Sequence, residues 1–284
     1  TEVRVGVLRP GVDEILPFTI VRDEIPIHSL DAAYLINDSV GYIKLNRFAE
    51  NTMDEYLEGF HKLQRSSTDL KGLILDLRGN PGGFLHMATS LADEFLSEGQ
   101  AIVHTEGRMR AEKDNAATRK GKWEKGGLAI LIDGGSASAS EIVAGAVQDH
   151  DRGWIVGNRS FGKGLVQEQM KLSDGSAVRL TVARYYTPSG RCIQRPYSDA
   201  LPDSDSAQID TFYTDMGRPV FDGGGISPDV EVAEDSTLYL RSYYFLMNHG
   251  DIRNFAFGEA DRIRTGPDLH PDSVWAEWNA PEFR

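Results

Sequence analysis

Three short apolar segments in the middle of the chain constrain its fold more than any other feature. They are GLILDL (72–77), LAILIDGG (128–135) and GWIVG (153–157). Each is interpreted as a buried strand, because it is a short continuous apolar run. Helix-like segments, FLHMATSLADEFL and EIVAGAVQDH, follow the first two. Strands that alternate with helices predict βα units and a mostly parallel sheet, which is an α/β fold.

Two further regions extend this scheme. GYIKL is a predicted strand, and TMDEYLEGFHKLQ is a predicted helix whose apolar residues share one face. After GWIVG the pattern changes, because the segments LVQEQMKL and AVRLTVARYY are joined by the turn SDGS. They predict a β-hairpin, and we interpret the tyrosines at its end, Tyr185 and Tyr186, as packing residues.

Residues 1–24 also predict a β-hairpin, because Val3, Val5 and Val7 alternate with other residues and Pro10-Gly11 marks a turn. Two strands alone are marginally stable. We therefore expect this hairpin to belong to a small β domain that is mostly absent from the sequence. The first residues, TEVRVGVLRP, do not have the pattern of a signal peptide, and we expect the chain to be a piece of a longer precursor.

The composition excludes several classes of function. Lys and Arg number 30 against 43 Asp and Glu, so the net charge of −13 argues against a general nucleic-acid-binding protein. The chain contains no run of about 18 apolar residues, which a membrane-spanning helix requires. Its single cysteine, Cys192, excludes an internal disulfide and a cysteine-based zinc cluster.

One segment opposes the overall charge. Between residues 108 and 125, three acidic residues accompany seven basic ones: Arg108, Arg110, Lys113, Arg119, Lys120, Lys122 and Lys125. A solvated loop is the favoured interpretation. The alternative is a flap that attracts an acidic group of a substrate.

The run SASAS contains Ser136, Ser138 and Ser140 at the end of the strand LAILIDGG. Ser138 and Glu141 match a capping box, which would make Ser138 only the N-cap of the following helix. The turn also lies at the carboxyl end of a strand, where open α/β sheets place ligands, and a helix N-terminus is beside it. Both interpretations, cap and nucleophile, fit this turn.

A nucleophilic serine needs a base. His150 lies about 18 Å from Ser138 along a straight helix with a rise of about 1.5 Å per residue, which is too far. Nothing near His86 suggests a catalytic triad. Lys163 is the better candidate, because glycines flank it and burial of its stem would lower its pKa. Gln167 lies on the same face of the following strand and could orient the lysine amine.

Lys163 also completes a second pattern. GNRSFGK (157–163) matches G-x-x-x-x-G-K and follows an apolar strand, which is typical of a phosphate-binding loop. Gly164 replaces the Ser or Thr that would hold Mg²⁺, and the next segment is a predicted strand rather than a helix. A nucleotide-binding function is therefore the weakest of the alternatives.

Two long motifs, SASASEIVAGAVQDH and GNRSFGKGLVQ, occur in this order. With GYIKLNRF, LILDLRGNPGG, YYTPSGRCIQ and GGGISPDV, they resemble the carboxyl-terminal processing proteases, also called tail-specific proteases, of the S41 serine peptidase family. The resemblance covers roughly residues 1–230. It implies a Ser–Lys dyad that cleaves peptides without a metal or nucleotide cofactor.

By this resemblance, Ser138 is the nucleophile, Lys163 the base and Gln167 the residue that orients the base. The oxyanion hole would consist of the main-chain amides of Gly83 and Ala139. The implied fold is a crotonase-like protease core that a PDZ domain precedes.

The resemblance also implies a domain organisation. Residues 1–30 would be the closing strands of a PDZ-like domain and a linker. Residues 31–230 would be the protease core, and residues 231–284 a partly helical C-terminal extension.

The implied function is an endopeptidase that forms an acyl-enzyme and cleaves flexible C-terminal segments of proteins. The family members that this sequence resembles are bacterial envelope enzymes, so the resemblance implies a periplasmic or cell-envelope location, or a full-length protein that is associated with the membrane. The sequence leaves open whether the protein forms a homo-oligomer. A catalytically silent peptide-binding module of the same fold is the alternative from another class.

Overall fold

The fold is described from a computed structural model. It describes residues 1–9, 13–23, 27–108, 110–118, 120–196, 210–233 and 241–264. The chain divides into two compact units, Thr1–Val232 and Ala233–Arg284. Within the described ranges, no helix combines the length and the apolar composition that a membrane span requires.

A six-stranded sheet forms the centre of the first unit. In spatial order its strands are β14 (Val230–Glu231), β9 (Trp154–Gly157), β8 (Gly127–Ile132), β5 (Gly72–Asp76), β4 (Val40–Leu45) and β3 (Leu30–Asn37). All neighbouring strands are parallel except β3 and β4, which are antiparallel. The predicted α/β class with a mostly parallel sheet is therefore confirmed.

Three helices accompany this sheet: α1 (Thr52–Ser66), α2 (Leu85–Asp93) and α3 (Ala139–Asp149). The apolar face predicted for the first helix is confirmed, because α1 buries Tyr56, Phe60 and Leu63. The prediction that the second helix extends to residue 96 is wrong, since α2 ends at Asp93 and the Glu94 carbonyl oxygen instead accepts the amide of Trp123 at 2.9 Å.

A second, antiparallel sheet has the strand order β10 (Leu165–Lys171), β11 (Ala177–Tyr186), β6 (Ala101–Gly107) and β7 (Arg110–Ala116). The predicted β10–β11 hairpin is confirmed. The prediction that 108–125 is a loop is wrong for Arg110–Ala116, which form the edge strand β7. Charged residues are common on edge strands, so composition does not distinguish such a strand from a loop. Arg119 lies outside the described residues.

Two small sheets complete the first unit. One pairs β1 (Glu2–Val7) with β2 (Leu16–Val21), and the other pairs β12 (Thr211–Tyr213) with β13 (Pro219–Phe221), both antiparallel. The N-terminal hairpin is therefore present as paired strands, and its expected Pro10-Gly11 turn lies outside the described residues. The assignment of these strands to a PDZ-like domain stays a prediction.

The described part of the second unit contains two helices, α4 (Arg241–His249) and α5 (Asp251–Arg264). They are joined at Gly250, whose φ of 77° is one that glycine adopts readily. The prediction that residues 231–284 are partly helical agrees with these two helices.

Candidate active site

The three serines of the SASAS turn have different surroundings. Ser136 and Ser140 are buried, and their hydroxyls donate to carbonyl oxygens of the segment after β5, Leu77 O at 2.8 Å and Asn80 O at 3.0 Å. Ser138 is only half-buried. Two of the serines therefore attach the turn to the neighbouring loop, and the third is accessible.

Ser138 has an unusual main-chain conformation. It is the N-cap residue of α3 and has φ 57° and ψ −111°. Among the described residues, it shares a positive φ with Asp151 and otherwise only with glycines. Such a conformation costs about 1–3 kcal/mol in a residue with a side chain and is frequent at functional sites. A sharp strand-to-helix turn of this kind exposes the serine hydroxyl.

A cavity of about 600 Å³ opens beside Ser138. Lys163, Gln167 and Gly83 line it, so the structure brings together four of the five residues that the sequence assigns to the site. The other lining residues are Pro81, Gly82, Phe84, Leu165, Gln169 and Arg179. Lys163 is half-buried here, which is less burial than the sequence leads one to expect.

Strand β10 brings Gln167 to the cavity. The β10–β11 ladder contains a register shift, because Val166 pairs with Ala183 whereas Gln167 pairs with Thr181. The extra residue, Val182, belongs to β11. The alternation of side chains along β10 is therefore kept, and Gln167 lines the same cavity as Lys163, as the sequence predicts.

Glu141 connects the two halves of the site. Its Oε2 accepts the main-chain amides of Ser138 at 2.7 Å and Lys163 at 2.9 Å. Its Oε1 accepts the Ser160 hydroxyl at 2.5 Å and the Gly162 amide at 2.7 Å. Burial raises the pKa of Glu141 above its usual value, although these four hydrogen bonds oppose that shift. The capping-box motif predicts the first of these contacts, but no sequence signal predicts the other three.

Tyr185 makes a second connection between the same segments. It is 1% exposed, and its hydroxyl lies 2.5 Å from Lys163 O and 3.1 Å from Ser138 O. A hydroxyl has one hydrogen, so it donates to one of these carbonyl oxygens at a time. Burial raises the pKa of Tyr185 well above its usual value, so the phenol keeps this hydrogen. The sequence interpretation of Tyr185 as a packing residue misses this role.

The loop RGNPGG forms the opposite side of the cavity and depends on two glycines. Gly82 has φ 92°, and a Cβ there would lie 2.6 Å from Ala137 O and 2.9 Å from Ser138 Cβ. Gly83 has φ 153°, and a Cβ there would lie 2.0 Å from Phe48 O. Only glycine fits such close approaches, so the main chain of this loop lies directly against the Ser138 turn.

The two amides assigned to the oxyanion hole differ in their access to the cavity. In the part of the chain that the structure describes, neither the Gly83 nor the Ala139 amide donates to another protein atom. Gly83 lines the cavity, whereas Ala139 is 1% exposed and is absent from its lining. As the first residue of α3, Ala139 has an amide without an intrahelical acceptor.

The histidines lie elsewhere. His150 follows the last residue of α3, and its ring nitrogens contact Asp215 Oδ2 and Ala101 O, each at 2.7 Å. His86 is exposed and lies 3.2 Å from Glu50. Neither lines the cavity. The structure therefore agrees with the sequence argument that neither histidine is the base for Ser138.

The phosphate-loop alternative also lacks its structural context. Lys163 is followed by strand β10 rather than by a helix, so no helix N-terminus is available for a phosphate after the G-K pair. Among the described residues, no cluster of three or more His, Cys, Asp or Glu side chains could hold a metal ion.

Comparison with known proteins identifies the family. The family model for peptidase family S41 matches residues 39–206, a range that contains the SASAS turn, Glu141 and Lys163. The chain belongs to peptidase family S41. The S41 match covers the six-stranded sheet from β4 to β9, together with the β10–β11 hairpin.

Curated S41 relatives are named carboxyl-terminal processing proteases. The carboxy-terminal-processing protease of Bartonella bacilliformis is 36% identical over 264 residues, which is 92% of this chain and 54% of that protein. The carboxyl-terminal-processing protease of Synechocystis sp. is 38% identical over 199 residues, 69% of this chain and 45% of that protein. The S41 chain thus spans about half the length of these relatives.

A solved structure is also similar. The photosystem II D1 C-terminal processing protease superposes with a TM-score of 0.55 and 29% sequence identity, over 82% of this S41 chain and 55% of that protein. The sequence and structure comparisons therefore agree on a serine-type peptidase family with an α/β fold.

Proposed function

We propose that this S41 chain is the catalytic part of a serine endopeptidase that uses Ser138 and Lys163 as a dyad. One observation carries the proposal: a single cavity is lined by the strained, accessible Ser138, by Lys163 and by Gln167. The buried hydroxyls of Ser136 and Ser140 already donate to carbonyl oxygens, which leaves Ser138 as the nucleophile within the serine run.

In the acylation step, Ser138 Oγ attacks the carbonyl carbon of the scissile peptide bond while neutral Lys163 Nζ takes the hydroxyl proton. The tetrahedral oxyanion accepts hydrogen bonds from the Gly83 and Ala139 amides. The C–N bond then breaks, and Lys163 returns the proton to the leaving amine. The product is an ester between Ser138 and the N-terminal part of the substrate.

In the deacylation step, Lys163 takes a proton from a water molecule, whose oxygen attacks the ester carbon. The C–O bond to Ser138 breaks, and the serine oxygen recovers a proton from Lys163. Gln167 orients the lysine amine during both steps.

The proposed substrates are flexible C-terminal segments of proteins, as the names of the relatives suggest. An extended segment is proposed, because the main chain of the RGNPGG loop lies close to Ser138 and the cavity beside it follows strand β10. The β1–β2 sheet is proposed as the remnant of a PDZ-like domain, and the core as crotonase-like.

The test compares the chain, and the full-length protein that contains it, with Ser138→Ala and Lys163→Ala variants on an unfolded protein substrate. Cleavage by the parent that both variants lose, with peptide binding retained by Ser138→Ala, supports the proposal. Cleavage by either variant at the parental rate contradicts the dyad. Binding without cleavage by the parent would identify a peptide-binding module instead.

A further inference from the structure

The cavity beside Ser138 continues beyond the proposed dyad along the β10–β11 hairpin. Gln169 and Arg179 line it together with Gln167. In the ladder, Gln167 pairs with Thr181 and Gln169 pairs with Arg179. Directly paired residues project from the same face of a sheet. One face of the hairpin therefore presents three polar side chains, of Gln167, Gln169 and Arg179, to the cavity.

The opposite face of the hairpin has a different character. Met170 pairs with Val178, and Leu180 pairs with Glu168. The side chains of Met170, Val178 and Leu180 are exposed apolar groups. The hairpin is thus amphipathic, and its polar face is the one that forms the wall of the cavity.

Arg179 is poorly satisfied within the protein. Its side chain is exposed, and its Nη2 lies 3.5 Å from Gln169 Oε1, which is a long hydrogen bond. Among the ion pairs of the described residues, none involves Arg179. A guanidinium carries five N–H donors in a planar fork, so most of the donors of Arg179 are free to bind a ligand.

The charge of the cavity fits an anionic ligand. Among the described residues that line the cavity, none is Asp or Glu, and the basic ones are Lys163 and Arg179. The chain as a whole has a net charge of −13, so a cavity wall whose arginine has no ion pair within the described ranges differs from the average surface. An arginine fork recognises a carboxylate through two parallel hydrogen bonds, which gives orientation as well as affinity.

The spacing defines where such a carboxylate would lie. Gln169, the partner of Arg179, is two residues after Gln167 and six residues after Lys163. At a rise of about 3.3 Å per residue, these separations are about 7 Å and about 20 Å along an extended chain. An extended peptide covers them in about two and about six residues. A substrate bound along the hairpin would therefore place a residue about two to six positions from the scissile bond beside Arg179.

We propose that Arg179 forms a carboxylate subsite of this peptidase, which selects peptides that carry a negative charge about two to six residues from the bond that Ser138 attacks. The inference rests on the proposed function. The carboxylate belongs either to an Asp or Glu side chain or to the free C-terminus of the substrate, and both present the same two oxygens to the guanidinium.

The test uses flexible fluorogenic peptides of about ten residues and the protein in its full-length form. In one series, a single Glu is moved through every position, with a matched Gln peptide for each. In a second series, a neutral peptide with a free C-terminus is compared with its C-terminally amidated form, with the chain end placed at successive distances from the cleaved bond. The first series detects a side-chain carboxylate, and the second detects a terminal carboxylate.

The expected result is a kcat/KM about tenfold higher for the charged peptide at one position, mainly through KM. Arg179→Gln is expected to reduce this charged-to-neutral ratio to about one, and Arg179→Lys to leave an intermediate ratio because it keeps the charge but loses the fork. Lys171→Gln is the control, since Lys171 is a cation on the same hairpin outside the cavity lining and should leave the ratio unchanged.

A ratio near one at every position in both series, or a ratio that survives Arg179→Gln, would overturn the subsite. Anisotropy of the labelled peptides on Ser138→Ala, with and without Arg179→Gln, gives a binding readout that does not need cleavage. A failure of the dyad itself is recognised separately, because the neutral peptides would then be cleaved equally by the parent and by Ser138→Ala.

Discussion

The main-chain amides of Ser138 and Lys163 donate to the same oxygen atom, Glu141 Oε2, at 2.7 and 2.9 Å. The two residues are 25 positions apart in the chain and belong to different loops. One carboxylate therefore determines how far the proposed nucleophile lies from the proposed base. The hydroxyl of Tyr185 contacts the carbonyl oxygens of the same two residues. Buried side chains therefore bind both the N–H and the C=O groups of Ser138 and Lys163.

The first prediction concerns Glu141→Gln. The carboxylate accepts four donors, and the NH₂ group of glutamine would face two of these donors without accepting them. Unsatisfied buried groups cost about 1–3 kcal/mol each, so we expect kcat to fall by about tenfold or more with a smaller change in KM. Steady-state kinetics on a flexible peptide measures this. Glu98→Gln, at an exposed glutamate, is the control, and an unchanged kcat for Glu141→Gln would contradict the positioning role.

The second prediction concerns pH. Because burial raises the pKa of Glu141, the folded protein holds this proton more tightly than the unfolded chain, whose glutamate titrates near 4.5. The contribution of Glu141 to stability is therefore largest below pH 4.5 and is lost as the pH rises through the raised pKa. Activity changes in the opposite direction, because a protonated carboxyl accepts fewer hydrogen bonds from the two loops.

The difference in unfolding free energy between the parent and Glu141→Gln isolates this group from the other carboxylates. Urea titrations between pH 4 and pH 8 should show that the parent loses stability relative to the variant as the pH rises, by about 1.4 kcal/mol for each unit of pKa shift. The acid limb of the kcat profile should be present in the parent and weaker in the variant. A pH-independent difference in stability would refute the raised pKa.

The third prediction concerns Tyr185→Phe, which removes one hydroxyl and leaves the ring in the core. The carbonyl oxygens of Ser138 and Lys163 lose their shared donor, so we expect a stability loss of about 0.5–1.5 kcal/mol and a lower kcat. Tyr186→Phe is the matched control, since Tyr186 is the next residue of β11 and, in the described part of the chain, only the Tyr185 hydroxyl of the two contacts the carbonyl oxygens of Ser138 and Lys163. Equal kinetics for the two variants would show that the hydroxyl of Tyr185 does not position the dyad.

The fourth prediction separates the three serines. Ser138→Ala should abolish cleavage, and because its φ of 57° is no worse for alanine, the loss of stability should not exceed that of an N-cap, about 1 kcal/mol. Ser136→Ala and Ser140→Ala each lose a buried donor to a carbonyl oxygen, so each should cost about 1 kcal/mol and retain activity. Thermal melts and peptide assays decide this. Loss of activity in Ser136→Ala at full stability would place the nucleophile elsewhere.

The sequence predicts most of the elements and a mostly parallel sheet, but not the order of the strands in it. The apolar strands and the amphipathic α1 have strong periodicity, and the structure confirms them. Edge strands are harder to predict, because β7 consists of charged and small residues that are equally typical of a loop. Pairing across the sheet depends on contacts between distant segments, which a local pattern does not contain.

Contacts between distant segments also limit what the sequence predicts about the site. The proposed roles of Ser138 and Lys163 rest on their residue types, since a nucleophilic hydroxyl needs a base, and on the resemblance to the S41 family. The connections made by Glu141 and Tyr185 could not be predicted, because each depends on three segments that meet only after folding. Glu141 was recognised only for its contact with Ser138, which lies three residues away and is therefore visible in the local sequence.

The fifth prediction concerns the far end of α3, where Arg191 Nη2 donates to Asp149 Oδ1 at 2.6 Å and both side chains are 1% exposed. Removing one partner leaves a buried unpaired charge, so Arg191→Met should lower the free energy of unfolding by about 3–5 kcal/mol. The double variant Arg191→Met, Asp149→Asn removes both charges and keeps an acceptor for the Ser189 amide, so it should be more stable than Arg191→Met alone.

Urea unfolding measures the stability of the single and the double variant, with the exposed Arg195→Met as a control that should cost less than about 0.5 kcal/mol. Additive losses in the double variant would mean that the two charges do not interact. The same variants should also lower activity at temperatures where they remain folded, since Asp149 is the last residue of the helix that begins beside Ser138.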